Sequence, residues 1–119
     1  MIDSWQSRAV SVDDVLQHLR SGMKVFVHGA AATPTTLLDR LTAQSHLEDV
    51  TFYHMHTEGA ALWAGAAGAG RFRSVSFFTG EPMREPISAG LADFIPVFLS
   101  DIPGLFSSRQ IPLDAAILQ

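Results

Sequence analysis

The sequence predicts an α/β domain in which an open, mostly parallel sheet carries helices on both faces. Short runs of β-branched and aromatic residues alternate along the chain with segments whose apolar residues recur at helical spacing. That alternation is typical of a parallel sheet covered by its connecting helices. A chain of 119 residues is the size of one domain, and such a domain buries about two-thirds of the surface that its unfolded form exposes. We therefore expect a single domain over residues 1–119.

The first helix is predicted directly after Ser11. The sequence from Ser11 to Asp14 has the Ser-x-x-acid form of a capping box. Apolar residues then recur at i, i+3, i+4 and i+7, namely Val12, Val15, Leu16 and Leu19. Gly22 is expected to end the run.

The remaining elements follow in the same alternating order. A strand is predicted at residues 24–28, and Thr33 followed by Pro34 predicts the N-cap and first-turn proline of a second helix. Four more strands are predicted at residues 50–55, 74–78, 94–99 and 113–118. The small-residue segment 59–70 is open to two interpretations, a flexible helix or a loop, and is shorter than the ~20 residues that a membrane span needs.

Composition excludes several classes of function. The formal net charge of -4 gives no basic field for a nucleic-acid backbone, and the absence of cysteine removes disulfides, thiolate nucleophiles and cysteine-based zinc sites. Residues 1–8 lack the basic and apolar runs of a signal peptide, so we expect a cytoplasmic protein without membrane contact. With 47% hydrophobic and only 17% charged residues, some apolar surface is expected to meet a partner. We expect a homo-oligomer.

The turn at residues 28–34 is the first candidate site. In a parallel sheet it would lie at the carboxyl end of a strand, where small residues let backbone amides approach an anion. The alternative is a tight connection that simply requires small residues, because neither a dinucleotide nor a triphosphate fingerprint is present.

The second candidate is the pair His54 and His56. Two residues apart on a strand, both imidazoles would point to one face and could present two nitrogens to a metal. A metal needs further ligands, and only Glu58 is near in sequence. We therefore expect a structural or cleft-lining role and no metal.

The third candidate is Thr79 with Arg84. A planar guanidinium can donate two parallel hydrogen bonds to a carboxylate, and a hydroxyl can add a third. The alternative is a solvated or salt-bridged arginine in a loop between two proline-containing turns.

The order of these segments resembles the amino-terminal domain of the acetyl-CoA hydrolase and CoA-transferase family. The similarity rests on the aromatic-Thr pair Phe78-Thr79, on Arg84, and on Gly90 followed by the apolar run 94–98. It extends back through residues 50–59 and the first helix, and so covers nearly the whole chain. Pro86 departs from the family pattern, which leaves the acyl specificity open.

This resemblance implies a fold of the CoA-transferase type and a set of substrate-binding residues, Thr57, Thr79, Arg84, Gly29 and Pro34. In the family a glutamate of the carboxyl-terminal domain attacks the acyl-CoA, beside an oxyanion hole of backbone amides. The acids of this chain do not match that glutamate. We therefore expect the amino-terminal half of a CoA-transferase, with no catalytic residue of its own, and inactive by itself.

The implied ligands and partners follow from the same resemblance. A coenzyme A thioester is expected as substrate together with a carboxylic acid, no cofactor is expected to be permanently bound, and the carboxyl-terminal half of the same enzyme is the expected partner. Three alternatives remain open: half of an acyl-CoA hydrolase, a non-catalytic module that binds a small anion, and, less favoured, a histidine-based metalloenzyme.

Overall fold

The computed structural model describes residues 4–119 and contains one five-stranded sheet. The first three residues of the amino-terminal segment considered above lie outside the described part. The strands are β1 (Lys24–Val27), β2 (Val50–His54), β3 (Phe72–Ser76), β4 (Ala92–Phe94) and β5 (Ala115–Ile117). All neighbouring strands pair in parallel, in the order β4-β3-β2-β1-β5. The predicted α/β fold with a parallel sheet is confirmed.

The described residues contain four α-helices, of which the first precedes β1 and the other three lie between strands. They are α1 (Val12–Leu16), α2 (Thr35–Thr42), α3 (Glu81–Ser88) and α4 (Ile102–Ser107). The capping box of α1 forms as predicted: the Ser11 hydroxyl accepts from the Asp14 amide at 3.1 Å, and the Ser11 amide donates to the Asp14 carboxylate at 3.3 Å. Each helix within the described residues is too short or too polar to cross a membrane.

One face of the sheet carries the main core. The inward residues of its central strands are fully buried, among them Val25, Val27 and Phe52. Helices α1, α2 and α3 cover them with Leu16, Leu38, Leu41 and Met83. This alternation of buried and less buried positions along β1 and β2 is what a half-buried strand requires. We call this side the three-helix face.

The opposite side, which we call the α4 face, is covered more thinly. Phe106 of α4 meets three sheet-side rings edge-on, at centroid distances of 5.7 Å to Phe26, 6.4 Å to Tyr53 and 5.8 Å to Phe77. An apolar hollow of about 430 Å³ remains beside Phe106, lined in part by Leu99 and Leu113. The chain reaches this face because α4 lies between β4 and β5, the two opposite edges of the sheet.

Several predicted boundaries are wrong. Strand β3 begins and ends two residues before the predicted 74–78, and β4 ends at Phe94 instead of extending over 94–99. Pro96 has no amide to donate, which disfavours continued pairing there. Segment 59–70 is neither a continuous helix nor an open loop, since it forms the two 3₁₀ turns Leu62–Ala64 and Ala66–Gly68.

The start of α2 and the nature of α3 also differ from prediction. Thr33 does not cap α2, because its hydroxyl donates to the Ala30 carbonyl at 2.7 Å and the helix begins at Thr35 behind Pro34. The segment with Arg84, for which a loop was the alternative and no helix was predicted, is helix α3. Pro82 lies in the first turn, where a missing amide is tolerated, and Pro86 is accommodated inside the helix.

Candidate functional site

The candidate site lies at the carboxyl edge of the sheet. Because β1, β2 and β3 are parallel neighbours, the turns that follow them meet at the same edge. These are residues 28–34, residues 55–60 and residues 77–80. Four of the five predicted substrate-binding residues lie in these turns, and the fifth, Arg84, lies in the helix that follows the third turn.

Backbone contacts hold the first two turns together. The Ala30 amide donates to the carbonyl of His56, and the Glu58 amide donates to the Thr33 hydroxyl at 3.1 Å. A Cβ added to Gly29 would lie 2.7 Å from the same His56 carbonyl oxygen. Only glycine therefore fits at position 29 without a shift of backbone.

Most backbone amides of the first turn already donate hydrogen bonds within the protein, so they are not free to bind an anion. The amides of Ala30, Ala32, Thr33 and Thr35 all donate to backbone carbonyls, and Pro34 has no amide and is buried. The geometry favours a tight connection between strand and helix over a free anion-binding loop. Substrate contact by Gly29 and Pro34 stays a prediction.

A cleft of about 540 Å³ opens between the second turn and the start of α3. Thr57 lines this cleft, and only 1% of the residue is exposed. Its Oγ1 has no hydrogen-bond partner among the described residues. A buried hydroxyl without a partner costs about 1–3 kcal/mol, which makes Thr57 Oγ1 a candidate for contact with a ligand in the cleft.

The cleft is acidic. Its lining includes Glu58, Glu81 and Glu85, and no lysine or arginine of the described chain joins them. The first turn of α3 offers few free backbone amides to offset this negative charge. Pro82 has no amide, and the Met83 amide donates to the Gly80 carbonyl at 3.2 Å. Of the first three helical residues, only Glu81 keeps an amide for a ligand.

Thr79 and Arg84 take different positions relative to this cleft. Thr79 is half-buried just before Gly80, at the entry to α3. Arg84 is exposed on α3, outside the cleft lining, and forms no ion pair or side-chain hydrogen bond with any residue from 4 to 119. The structure therefore leaves its guanidinium available, although it does not bring Arg84 into the cleft.

The two histidines do not share a face, because β2 ends at His54. His54 is fully buried: Nδ1 donates to the Met55 carbonyl at 2.9 Å and Nε2 accepts from the Ser74 hydroxyl. Burial lowers the pKa of His54, partly opposed by the bond to Met55. His56 lies beyond the strand, half exposed and stacked on Phe78. The pair cannot chelate one metal, and no group of three or more ligand residues occurs within residues 4–119.

Sequence reasoning missed the acidic lining of the cleft. The acids of the chain were considered as possible nucleophiles, and Glu58 also as a possible metal ligand, but not as one acidic cleft, since the helix that carries Glu81 and Glu85 was not predicted. Their spacing held a signal: Glu81 and Glu85 are four residues apart directly after Gly80, so a helix there places both on one side.

Residues 2–119 match the family described as acetyl-CoA hydrolase/transferase N-terminal domain. The chain belongs to this family. Among curated relatives, it is 41% identical over 109 residues to a succinyl-CoA:acetate/propanoyl-CoA:succinate CoA transferase of Fasciola hepatica, covering 89% of this chain and 22% of that protein. It is 22% identical over 116 residues to the 4-hydroxybutyrate coenzyme A transferase of Clostridium kluyveri, covering 97% of this chain and 27% of the relative.

Solved structures support the same fold. RipA from Yersinia pestis superposes with a TM-score of 0.79 at 19% identity, over 92% of this chain and 28% of RipA. An E249A mutant of RipA gives a TM-score of 0.78 at 20% identity. The chain thus spans about a quarter of the length of the relatives that it matches.

Proposed function

We propose that this acetyl-CoA hydrolase/transferase domain shapes the acyl and carboxylate pocket of an enzyme that moves CoA between an acyl-CoA and a carboxylic acid. Family membership supports the reaction class. The single observation that carries the pocket is Thr57, whose buried hydroxyl has no partner among residues 4–119 and lies on the wall of a cleft at the carboxyl edge of a parallel sheet.

The nucleophile is proposed to come from outside this chain. The three cleft glutamates, Glu58, Glu81 and Glu85, are all exposed, so none has the desolvated setting that tunes an acid or base. We propose that the carboxyl-terminal half of the same enzyme supplies the attacking glutamate and is the partner of this domain. The chain alone is then inactive, and coenzyme A thioester is a substrate with no cofactor permanently bound.

The substrate contacts are proposed as follows. Thr57 and Thr79 offer hydroxyl donors, and the exposed guanidinium of Arg84 is free to hold a carboxylate in a bidentate pair. Gly29 contributes shape, because it lets the first turn approach the second, and the buried Pro34 leads directly into α2. We place the enzyme in the cytoplasm as a homo-oligomer, which matches the apolar surface left on the α4 face.

Thr57→Val tests this proposal because it replaces the hydroxyl with a methyl group of similar size. If the hydroxyl serves a ligand, its removal should stabilise the domain by about 1–2 kcal/mol, since a buried unpaired group is lost. The same change should lower kcat/KM for CoA transfer when the chain is assayed together with its carboxyl-terminal half. Urea denaturation measures the first effect, and steady-state kinetics the second.

Thr42→Val is the matched control, because the Thr42 hydroxyl already donates to the Leu38 carbonyl at 2.9 Å. It should change stability slightly and leave kcat/KM unaltered. A Thr57→Val enzyme that is both unstable and fully active would contradict the pocket.

Acyl-CoA hydrolysis is the second candidate, because the family includes hydrolases as well as transferases. The same cleft would then admit water in place of the carboxylic acid. Product analysis with and without added acetate or succinate separates the two reactions. A non-catalytic anion-binding module is less well supported, since the first turn uses most of its amides internally.

A further inference from the structure

His56 is held in place from two sides. Its ring stacks on Phe78 with centroids 5.5 Å apart and planes 23° apart. Gly80 lies close to the ring edge, since a Cβ added at position 80 would lie 3.0 Å from His56 Cδ2. The backbone carbonyl of His56 meanwhile accepts from the Ala30 amide. Both backbone and ring are therefore positioned before any ligand arrives.

Within residues 4–119, no hydrogen-bond partner meets the ring nitrogens of His56. Nε2 lies 3.8 Å from Glu58 Oε1, too far for a hydrogen bond. The side chain is 52% exposed and lines the cleft. A fixed ring with an open nitrogen is suited to a ligand contact.

The charges around His56 decide which ligand group fits. Glu58, Glu81 and Glu85 accept hydrogen bonds but donate none when ionised, and each would repel a carboxylate that entered the cleft. Among the described side chains of the lining, His56 and the buried Thr57 are the hydrogen-bond donors. A neutral carbonyl can accept from either donor without that repulsion.

We propose that His56 Nε2–H binds a neutral carbonyl oxygen of the acyl-CoA, in its thioester or in an amide of its pantetheine arm. This inference rests on the proposed function and divides the site in two. The acidic cleft takes the neutral arm of the acyl-CoA, and the carboxylic acid stays outside it, where Arg84 is exposed.

A titration of the isotope-labelled 119-residue chain tests this directly by nuclear magnetic resonance. The probe is S-acetylpantetheine, which is neutral and carries both a thioester and amides, and acetate is the comparison ligand. The His56 ring signals should shift saturably with S-acetylpantetheine and remain unmoved by acetate. The ring of the exposed His46 serves as the internal control. Equal shifts with acetate, or none with S-acetylpantetheine, overturn the proposal.

Three variants separate hydrogen bonding from packing. His56→Phe keeps an aromatic ring for stacking on Phe78 but removes the donor, and should weaken S-acetylpantetheine about fivefold, the value of one neutral hydrogen bond. His56→Gln keeps a donor and should recover part of that loss, while His46→Phe should change nothing. In His56→Phe, which lacks the histidine ring signals, binding is followed by the amide signals of Thr57 and Glu58. The proposal is overturned if this variant binds S-acetylpantetheine as tightly as the unmodified chain does.

These measurements are independent of turnover. If the chain gives no CoA transfer with its carboxyl-terminal half, the proposed function fails while the titration still decides the role of His56. If transfer occurs and His56→Phe keeps an unchanged KM for acyl-CoA, only the role of His56 fails.

Discussion

The two faces of the sheet are built from similar apolar residues but differ in how they are covered. On the three-helix face Phe52 has no exposed surface, and it belongs to a core to which α1, α2 and α3 all contribute side chains. The connection that leads into α4 leaves Phe98 79% exposed and Leu99 72% exposed, and Leu99 lines the apolar hollow of the α4 face. The first face accounts for most of the buried core, whereas the second presents the kind of surface that proteins use for association.

Truncation of one aromatic ring on each face should give the largest difference in the free energy of unfolding. Phe52→Ala removes a fully buried ring that stacks on Phe72 at 5.5 Å, and should lower the free energy of unfolding by about 3–5 kcal/mol. Phe106→Ala removes a half-buried ring beside an existing hollow, and should lower it by less than half as much. Urea denaturation of the two variants measures both, and equal losses would contradict the difference between the faces.

The helices also differ in how well the sequence predicts them. The start of helix α1 was predicted from Ser11, because capping is a local property, but the helix ends at Leu16, before the predicted stop at Gly22. Helices α3 and α4 were not predicted, since Pro82, Pro86 and Pro103 conceal a helical pattern that tertiary packing stabilises. Parallel strands were predicted correctly in number because each is a short apolar run, while their ends depend on which neighbour offers hydrogen bonds.

Two glycines, one at the edge where the turns meet and one on α4, should respond in opposite ways to substitution by alanine. Gly29→Ala would place a Cβ against the His56 carbonyl, a backbone atom that cannot move alone, and should destabilise the domain by about 1–3 kcal/mol. Gly104→Ala on α4 is the matched control, because nothing lies within 4 Å of its added Cβ. That change should stabilise the domain by up to ~1 kcal/mol through helix propensity. Thermal unfolding of both variants checks the opposite signs, and a harmless Gly29→Ala would refute the close contact.

The candidate site was less predictable than the fold for a physical reason. Sequence placed Thr57, Thr79 and Gly29 near the carboxyl ends of strands, which parallel topology then brought to one edge. The burial of Thr57 and the position of His56 depend on contacts between separate turns, which no local pattern encodes. The same limit explains why His54 and His56 were predicted to share a face.

Acid should destabilise the fold, because it protonates His54, which is buried on the three-helix face. Because burial lowers the pKa of His54 in the folded state, the neutral imidazole is favoured there, and the stabilisation is complete above its unfolded pKa of about 6.5. It is lost as the pH falls below that value towards the folded pKa. Unfolding midpoints should therefore decrease between about pH 7 and 5 more steeply for the unmodified chain than for His54→Gln, which cannot protonate.

Two ion pairs act in a separate and lower pH range. Arg40 lowers the pKa of Asp13, and Arg73 lowers that of Asp93, in each case through a side-chain hydrogen bond first. Their contributions are lost only below the ordinary carboxylate range, about pH 4. Parallel pH profiles for the unmodified chain and His54→Gln above that range would refute the role of His54.

The smallest effect on stability, and the clearest on association, is expected at Phe98. Because its side chain is mostly exposed in the folded domain, Phe98→Ser should change the free energy of unfolding by no more than about 0.5 kcal/mol. If the α4 face is where copies or partners meet, the same change should reduce self-association and the binding of an apolar dye, since it removes the most exposed large ring of the described chain. Trp5→Ser is the matched control, an exposed ring near the amino terminus at 70% exposure. Sedimentation velocity over the micromolar range compares the three proteins. Equal sedimentation of all three would show that apolar exposure on the α4 face does not drive association, and that its thin covering has another cause.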